Sequence, residues 1–175
     1  MITMTRPQDN QKNHSMTAPQ RLMKISQDIA VLSERVDIIA VTKTFSPEAI
    51  APVLAAGHRV FGENRVQEAA EKWPDLKVSY PDVELHLIGA LQSNKAAQAV
   101  ALFDVIHSLD RIKLARVLAM EMKRQNRQLK TLVQVNTGKE DQKSGMPPEE
   151  TEEFVRTCRS ELGLNIVGLM CLPPQ

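Results

Sequence analysis

Ile38-Ile39-Ala40-Val41-Thr42-Lys43-Thr44 is the stretch whose reading decides the fold. Four apolar residues in a row, three of them β-branched, predict a buried parallel strand. The strand runs into Lys43 and then into Ser46-Pro47-Glu48. That tripeptide predicts a helix start: a serine cap, proline at the first helical position and an acid in the first turn. In strand–helix units of this kind, chemistry gathers at the carboxyl ends of the strands. Lys43 shares strand parity with Ile39 and Val41, so it continues their column. A partly desolvated amine there can lose its proton and attack an aldehyde, which makes Lys43 a candidate Schiff-base lysine. The competing reading is a solvated loop charge, the commoner fate of a lysine at a strand end.

The same alternation extends outward on both sides. Leu22, Ile25, Ile29 and Leu32 form one apolar stripe on a helix starting at Ala18. A helix over 47–56 stops at Gly57. A short strand at 59–61 follows, then a helix opened by an Asn64/Gln67 capping box and closed at Trp73, before Pro74. Strands are predicted at 84–88, 104–107, 129–136 and 164–172. Between them lie helices opened by Ser93, by Asp110 and by Pro147-Pro148-Glu149-Glu150.

The 175 residues suffice for one domain with a real core, and with only 3% aromatics that core is mainly aliphatic. The formal charge of +1 offers no basic surface for nucleic acid. Cys158 and Cys171 have no metal-ligand or CxxC spacing, which suits free thiols in a reducing cytoplasm. Residues 1–16 are polar, hold no signal-peptide core, and are expected to be a disordered tail ahead of a domain over 17–175. Met16 offers an alternative start. No apolar run reaches membrane-spanning length.

Repeated strand–helix units with short links predict a parallel sheet with right-handed crossovers. Doubly wound sheets and β/α barrels both fit, but no GxGxxG follows the first strand, which disfavours a dinucleotide-binding sheet. Lys43, Asn64, Ser108, Asn136 and Met170 fall at or just past predicted strand ends. Six units are present where a closed (β/α)8 barrel needs eight, so the chain reads as a barrel cut off after strand six.

Six segments carry a resemblance: AVTKTF (40–45), FGENRVQEA (61–69), ELHLIGALQSNK (84–95), IHSLDR (106–111), VNTGKEDQKSG (135–145) and GLMCLPP (168–174). In this order they resemble the pyridoxal 5′-phosphate homeostasis proteins, the YggS and proline-synthase co-transcribed family. The resemblance implies an α/β TIM barrel of the alanine racemase N-terminal type. It implies pyridoxal phosphate (PLP) held as a Schiff base on Lys43. It further implies a carrier or buffer in intracellular vitamin B6 balance, with PLP-dependent apo-enzymes as receivers, no established turnover, no metal, and neither nucleic acid nor membrane as partner. Family members lack the second domain that gives racemases a catalytic tyrosine from a partner subunit.

Carried over residue by residue, Lys43 matches the Schiff-base lysine. Asn64 lies in the GENRVQE block at the cofactor mouth, although it is equally a helix cap. Ser108 and Asn136 end strands and are candidates for contact with the ring or its hydroxyl. His86 shares a face with Ile88 and reads more readily as a satisfied core histidine than as a ligand. Gln92-Ser93-Asn94-Lys95 reads as a helix start, Asp141 to Gly145 as a surface loop. Ala90 stands where the family commonly has proline. The large departure is at the end: the family's phosphate grip comes from segments after strand six, and so does the arginine near its pyridine nitrogen. Without later strands, strands one and six are expected to be open edges.

Three rivals stay open. A small PLP-dependent racemase would use Lys43 as base but needs an opposing acid/base, and the only tyrosine is Tyr80, in a predicted loop. A Schiff-base aldolase would place acids near the lysine, and none is evident. The third is a fragment without function.

Overall fold

The computed structural model describes residues 16–32, 36–138 and 144–172. The predicted tail, apart from Met16, lies outside the described residues, as does 141–143 of the predicted loop. The chain forms two compact units.

The smaller unit holds helix α1 (Ala18–Ala30) and α2 (Pro47–Ala55) from Glu48 onward. At the start of α1 the Gln20 side chain accepts the Thr17 backbone N–H at 2.8 Å, satisfying a group the helix leaves over. The helix ends short of Leu32, the last residue of the predicted stripe, which is 85% exposed. Gly57 follows α2 at φ +93°, a left-handed stop that glycine adopts without penalty.

The larger unit is built on one sheet of six parallel strands in chain order: β1 (Ala40–Val41), β2 (Val60–Glu63), β3 (Glu84–Leu87), β4 (Val105–Leu109), β5 (Lys130–Gln134) and β6 (Asn165–Met170). The links carry α3 (Val66–Ser79), α4 (Ala96–Leu102), α5 (Ile112–Arg124) and α6 (Thr151–Ser160). Because every strand runs the same way, all carboxyl ends share one edge of the sheet.

The deciding stretch is a shorter and more open strand than its composition predicts. Only Ala40 and Val41 pair, with Phe61 and Gly62, and Val41 is 42% exposed. β1 has a single neighbour among the described strands, so its apolar run is half covered rather than buried. Past Thr42, whose N–H donates to the Gly62 carbonyl at 2.9 Å, the chain turns.

The two faces of the sheet separate by parity. Phe61, Glu63, Leu85 and Leu87 are buried; Trp73 of α3 covers this face, its ring 5.1 Å from Phe61. On the other face, a Cβ on Gly62 would come within 2.8 Å of Ile39 and 3.3 Å of Ile88, so these three residues sit together.

Four predicted positions differ in the structure. Helix α3 continues through Pro74 to Ser79, because Trp73 and Lys72 are anchored in the core and hold the chain helical across the missing donor. The cap of α3 is Arg65, so Asn64 stands just outside and does not cap it. The cap of α5 is Arg111, not Asp110, which instead pairs with the Arg111 guanidinium at 2.5 Å. Ser108 is not at a strand end: it is the fourth residue of β4, inside an irregular stretch between Ile106 and Leu109.

Candidate functional site

The carboxyl edge of the sheet gathers most of the candidate residues. Lys43 lies two residues past Val41, in the turn that follows β1, and Asn64 directly follows β2. Lys43 is exposed, and makes no hydrogen bond or ion pair among the described residues. Its neighbour Thr44 has φ +64°, a left-handed conformation that is costly for a β-branched residue.

Asn64 is half-buried and held from behind by Gly89. A Cβ on Gly89 would lie 2.1 Å from the Asn64 carbonyl oxygen, so only glycine permits this approach. The Ile88 N–H donates to the Glu63 carbonyl at 2.9 Å and closes the same corner. A cavity of about 490 Å³ opens beside Asn64, lined also by Arg65, Gln67, Gln92 and Lys95.

Asn136 follows β5, three strands from Asn64, roughly 14 Å along the sheet at normal strand spacing. Its N–H donates to the Met146 carbonyl at 2.9 Å, and Gly145 (φ +121°) lets the returning chain pass close. Ser108 is 1% exposed, and its hydroxyl has no hydrogen-bond partner among the described residues. Lys43 and Asn64 thus follow the adjacent strands β1 and β2, Asn136 shares their edge at a distance, and Ser108 is set back within the sheet.

His86 is a satisfied interior residue, as expected. Its Nε2 lies 2.8 Å from Glu84 Oε1 and its Nδ1 2.8 Å from His107 Nε2. In the neutral form that burial favours, His86 donates from Nε2–H to Glu84 and accepts at Nδ1 from His107 Nε2–H. Burial lowers His86, while Glu84 works the other way. Burial and then His86 push His107 down to about 4. Lys130 donates to Glu84 at 2.9 Å. Burial opposes the ionisation of Glu84, but the hydrogen bonds from Lys130 and His86 outweigh it and hold the carboxyl below its ordinary value. This row opens at the strand starts, away from the Lys43 edge.

A second polar cluster was not foreseen. Glu63 is fully buried, and its Oε1 accepts from Thr42 Oγ1 (2.6 Å), Trp73 Nε1 (2.9 Å) and the Lys72 ammonium (2.8 Å). The sequence signals were a glutamate ending an apolar strand and the i, i+4 pair Glu68 and Lys72. Cys158 is buried, its thiol pushed up to about 11, while Cys171 is exposed. Among the described residues no group of three or more potential metal ligands occurs, and no helix is long and apolar enough to cross a membrane.

Comparison with known proteins follows the same lines. Residues 21–174 match the alanine racemase, N-terminal domain family. A pyridoxal phosphate homeostasis protein of Vibrio alginolyticus is 39% identical over 142 residues, 80% of this chain and 61% of that protein. One from Aquifex aeolicus is 34% identical over 166 residues, covering 91% of this chain and 72% of the relative. This chain therefore spans about three-fifths to three-quarters of the length of these relatives. PipY of Synechococcus elongatus, solved with PLP bound, superposes with a TM-score of 0.72 at 37% identity, over 86% of this chain and 71% of PipY. The six parallel strands are the α/β fold of the alanine racemase N-terminal domain, a TIM-barrel type. The chain belongs to the pyridoxal phosphate homeostasis proteins, a family built on that domain.

Proposed function

We propose that this protein binds pyridoxal phosphate through Lys43 and serves intracellular PLP balance without turnover, with residues 17–175 as the binding domain. The observation that carries the reading is Lys43 itself: an exposed amine just past the carboxyl end of the first strand, without a hydrogen bond or ion pair among the described residues. When bound, PLP supplies an aldehyde that condenses with a primary amine, C=N replacing C=O and water leaving. Lys43 offers that amine. The buried Ser108 hydroxyl, an orphan among the described residues, suits a polar group of a ring, and Asn64 and Asn136 offer amides at the edge. Transfer to PLP-dependent apo-enzymes and a cytoplasmic setting belong to the same proposal.

Racemisation is the second reading, and the position of Tyr80 speaks against it. The only tyrosine sits at the end of α3, under the Arg59 guanidinium at 5.2 Å, beside the start of β2 rather than its carboxyl end. It cannot oppose Lys43 across a ring.

The test is borohydride reduction of the protein mixed with PLP, followed by peptide mapping. The label is expected on Lys43 and absent in Lys43→Ala, together with loss of the visible absorbance of the bound cofactor. A label placed chiefly on other lysines sinks the assignment. Alanine turnover that disappears in Lys43→Ala would favour the racemase.

A further inference from the structure

We propose that Lys72, braced by Glu63 and Glu68, is a positioning residue that sets the turn carrying Lys43; this rests on the reading of Lys43 as the attachment point. The Lys72 ammonium donates to the carbonyl of Thr42 at 2.8 Å and approaches that of Phe45 at 3.2 Å. These carbonyls flank Lys43 on both sides. The same nitrogen lies 2.8 Å from Glu63 Oε1 and 3.1 Å from Glu68 Oε1. Glu68 Oε1 in turn accepts the backbone N–H of Thr44, and Glu63 accepts the Thr42 hydroxyl. Every backbone contact of this cluster falls on one four-residue turn, from Thr42 to Phe45.

The turn needs such a clamp. Thr44 at φ +64° is strained, and a strained residue persists only where its surroundings over-determine it. Left alone, Thr44 would relax to an extended conformation and carry Lys43 away from the position this turn gives it. Stability alone is a poor reason for the cluster, because a buried ion pair returns little over an apolar replacement. The Glu68 carboxyl is held below its ordinary value by the Thr44 amide first and then by Lys72, so it remains an acceptor at neutral pH.

The test uses the intact chain in four forms: wild type, Lys72→Met, Glu68→Ala, and Lys72→Met combined with Thr44→Gly. The last lets residue 44 adopt positive φ without strain. Two quantities are read: the rate at which PLP is borohydride-trapped on Lys43, and hydrogen exchange of the amide of residue 44 without PLP. Lys72→Met is expected to slow trapping at Lys43 about tenfold or more, the scale of a misplaced reacting group, and to expose the Thr44 amide. Thr44→Gly is expected to recover most of the rate, which a merely structural loss would not allow. Glu68→Ala leaves the buried Glu63–Lys72 pair intact, so it reports on the turn even if Lys72→Met fails to fold; a several-fold loss is expected. Wild-type trapping at Lys43 that is unchanged in Lys72→Met or Glu68→Ala overturns the clamp and leaves the attachment point standing. Absence of trapping at Lys43 in wild type overturns both.

Discussion

Replacing Gly89 by alanine tests the corner that fixes Asn64. The added Cβ would sit 2.1 Å from the Asn64 carbonyl oxygen and 2.8 Å from both its carbonyl carbon and Cα. Ordinary C···O contacts start near ~3.3 Å, so one backbone must retreat by about 1 Å. Both are anchored, since Ile88 N–H is bonded to Glu63. Overpacking against backbone places the cost near the top of the usual range, about 3 kcal/mol. With a urea slope of about 2 kcal/mol/M, the midpoint drops by roughly 1.5 M. Two controls calibrate this. Gly163→Ala adds a methyl to open space at φ +64° and should cost about 1 kcal/mol. At Gly168 the nearest atom is Leu132 Cδ2 at 3.9 Å and φ is ordinary, so alanine should be neutral or stabilise by about 0.5 kcal/mol. The fluorescence of Trp73, the single tryptophan and fully buried, follows unfolding. If Gly89→Ala unfolds with Gly168→Ala rather than well below Gly163→Ala, the close approach is not real and Asn64 is not fixed as described.

Three further outcomes are expected. His107 titrates at about 4 when folded against 6.5 ordinarily, so the unfolded chain binds more protons between those values. The His107 contribution to stability is therefore level above pH 6.5 and falls as pH drops toward 4, by about 1–2 kcal/mol after allowance for partial exposure; His107→Gln should flatten that part of a urea-midpoint profile, and an unchanged slope would refute the assignment. Trp73→Phe removes the indole donor 2.9 Å from a buried carboxylate and should cost about 2–3 kcal/mol in thermal or urea melts, whereas a loss under 0.5 would mean the bond is not made. An aromatic disulfide reagent should titrate Cys171 quickly and Cys158 only on unfolding; two fast thiols would contradict the burial of Cys158.

The strand–helix order, the parallel sheet and Lys43 at a strand end were legible because each rests on local pattern. The short segment Glu84 to Ile88, bounded by turn residues, reads as a strand, and Gly57 reads as a helix stop. The pattern failed where a distant partner decided the matter. Pro74 reads as a helix stop, but Trp73 is held by Phe61 and Glu63 from another element. Asn64 reads as a cap, but Gly89, far along the chain, sets its backbone. The length of the first strand depends on how many neighbours it has, and Ile38 to Thr44 carries no record of that. The Glu63–Lys72–Glu68 cluster shows why the site was only half read: its members were visible singly, but their meeting at the Lys43 turn depends on how α3 crosses the sheet.

Strand order has a consequence for how the chain is made. Phe61 pairs back to Ala40, Leu85 to Phe61, Ile106 to Leu87, Thr131 to Ile106 and Ile166 to Thr131, so among the described strands each pairs with one already synthesised. A ribosome adding about 5–20 residues per second releases each strand–helix unit over a few seconds, long after a hairpin-sized pairing event would be complete. The sheet can therefore assemble vectorially, each strand templating its successor. The weakest seam is then the first one laid, the two-residue β1. A defect there meets a nascent chain with the least structure to absorb it, so variants in the Lys43 strand should lower yield in cells more than their effect on the finished protein suggests.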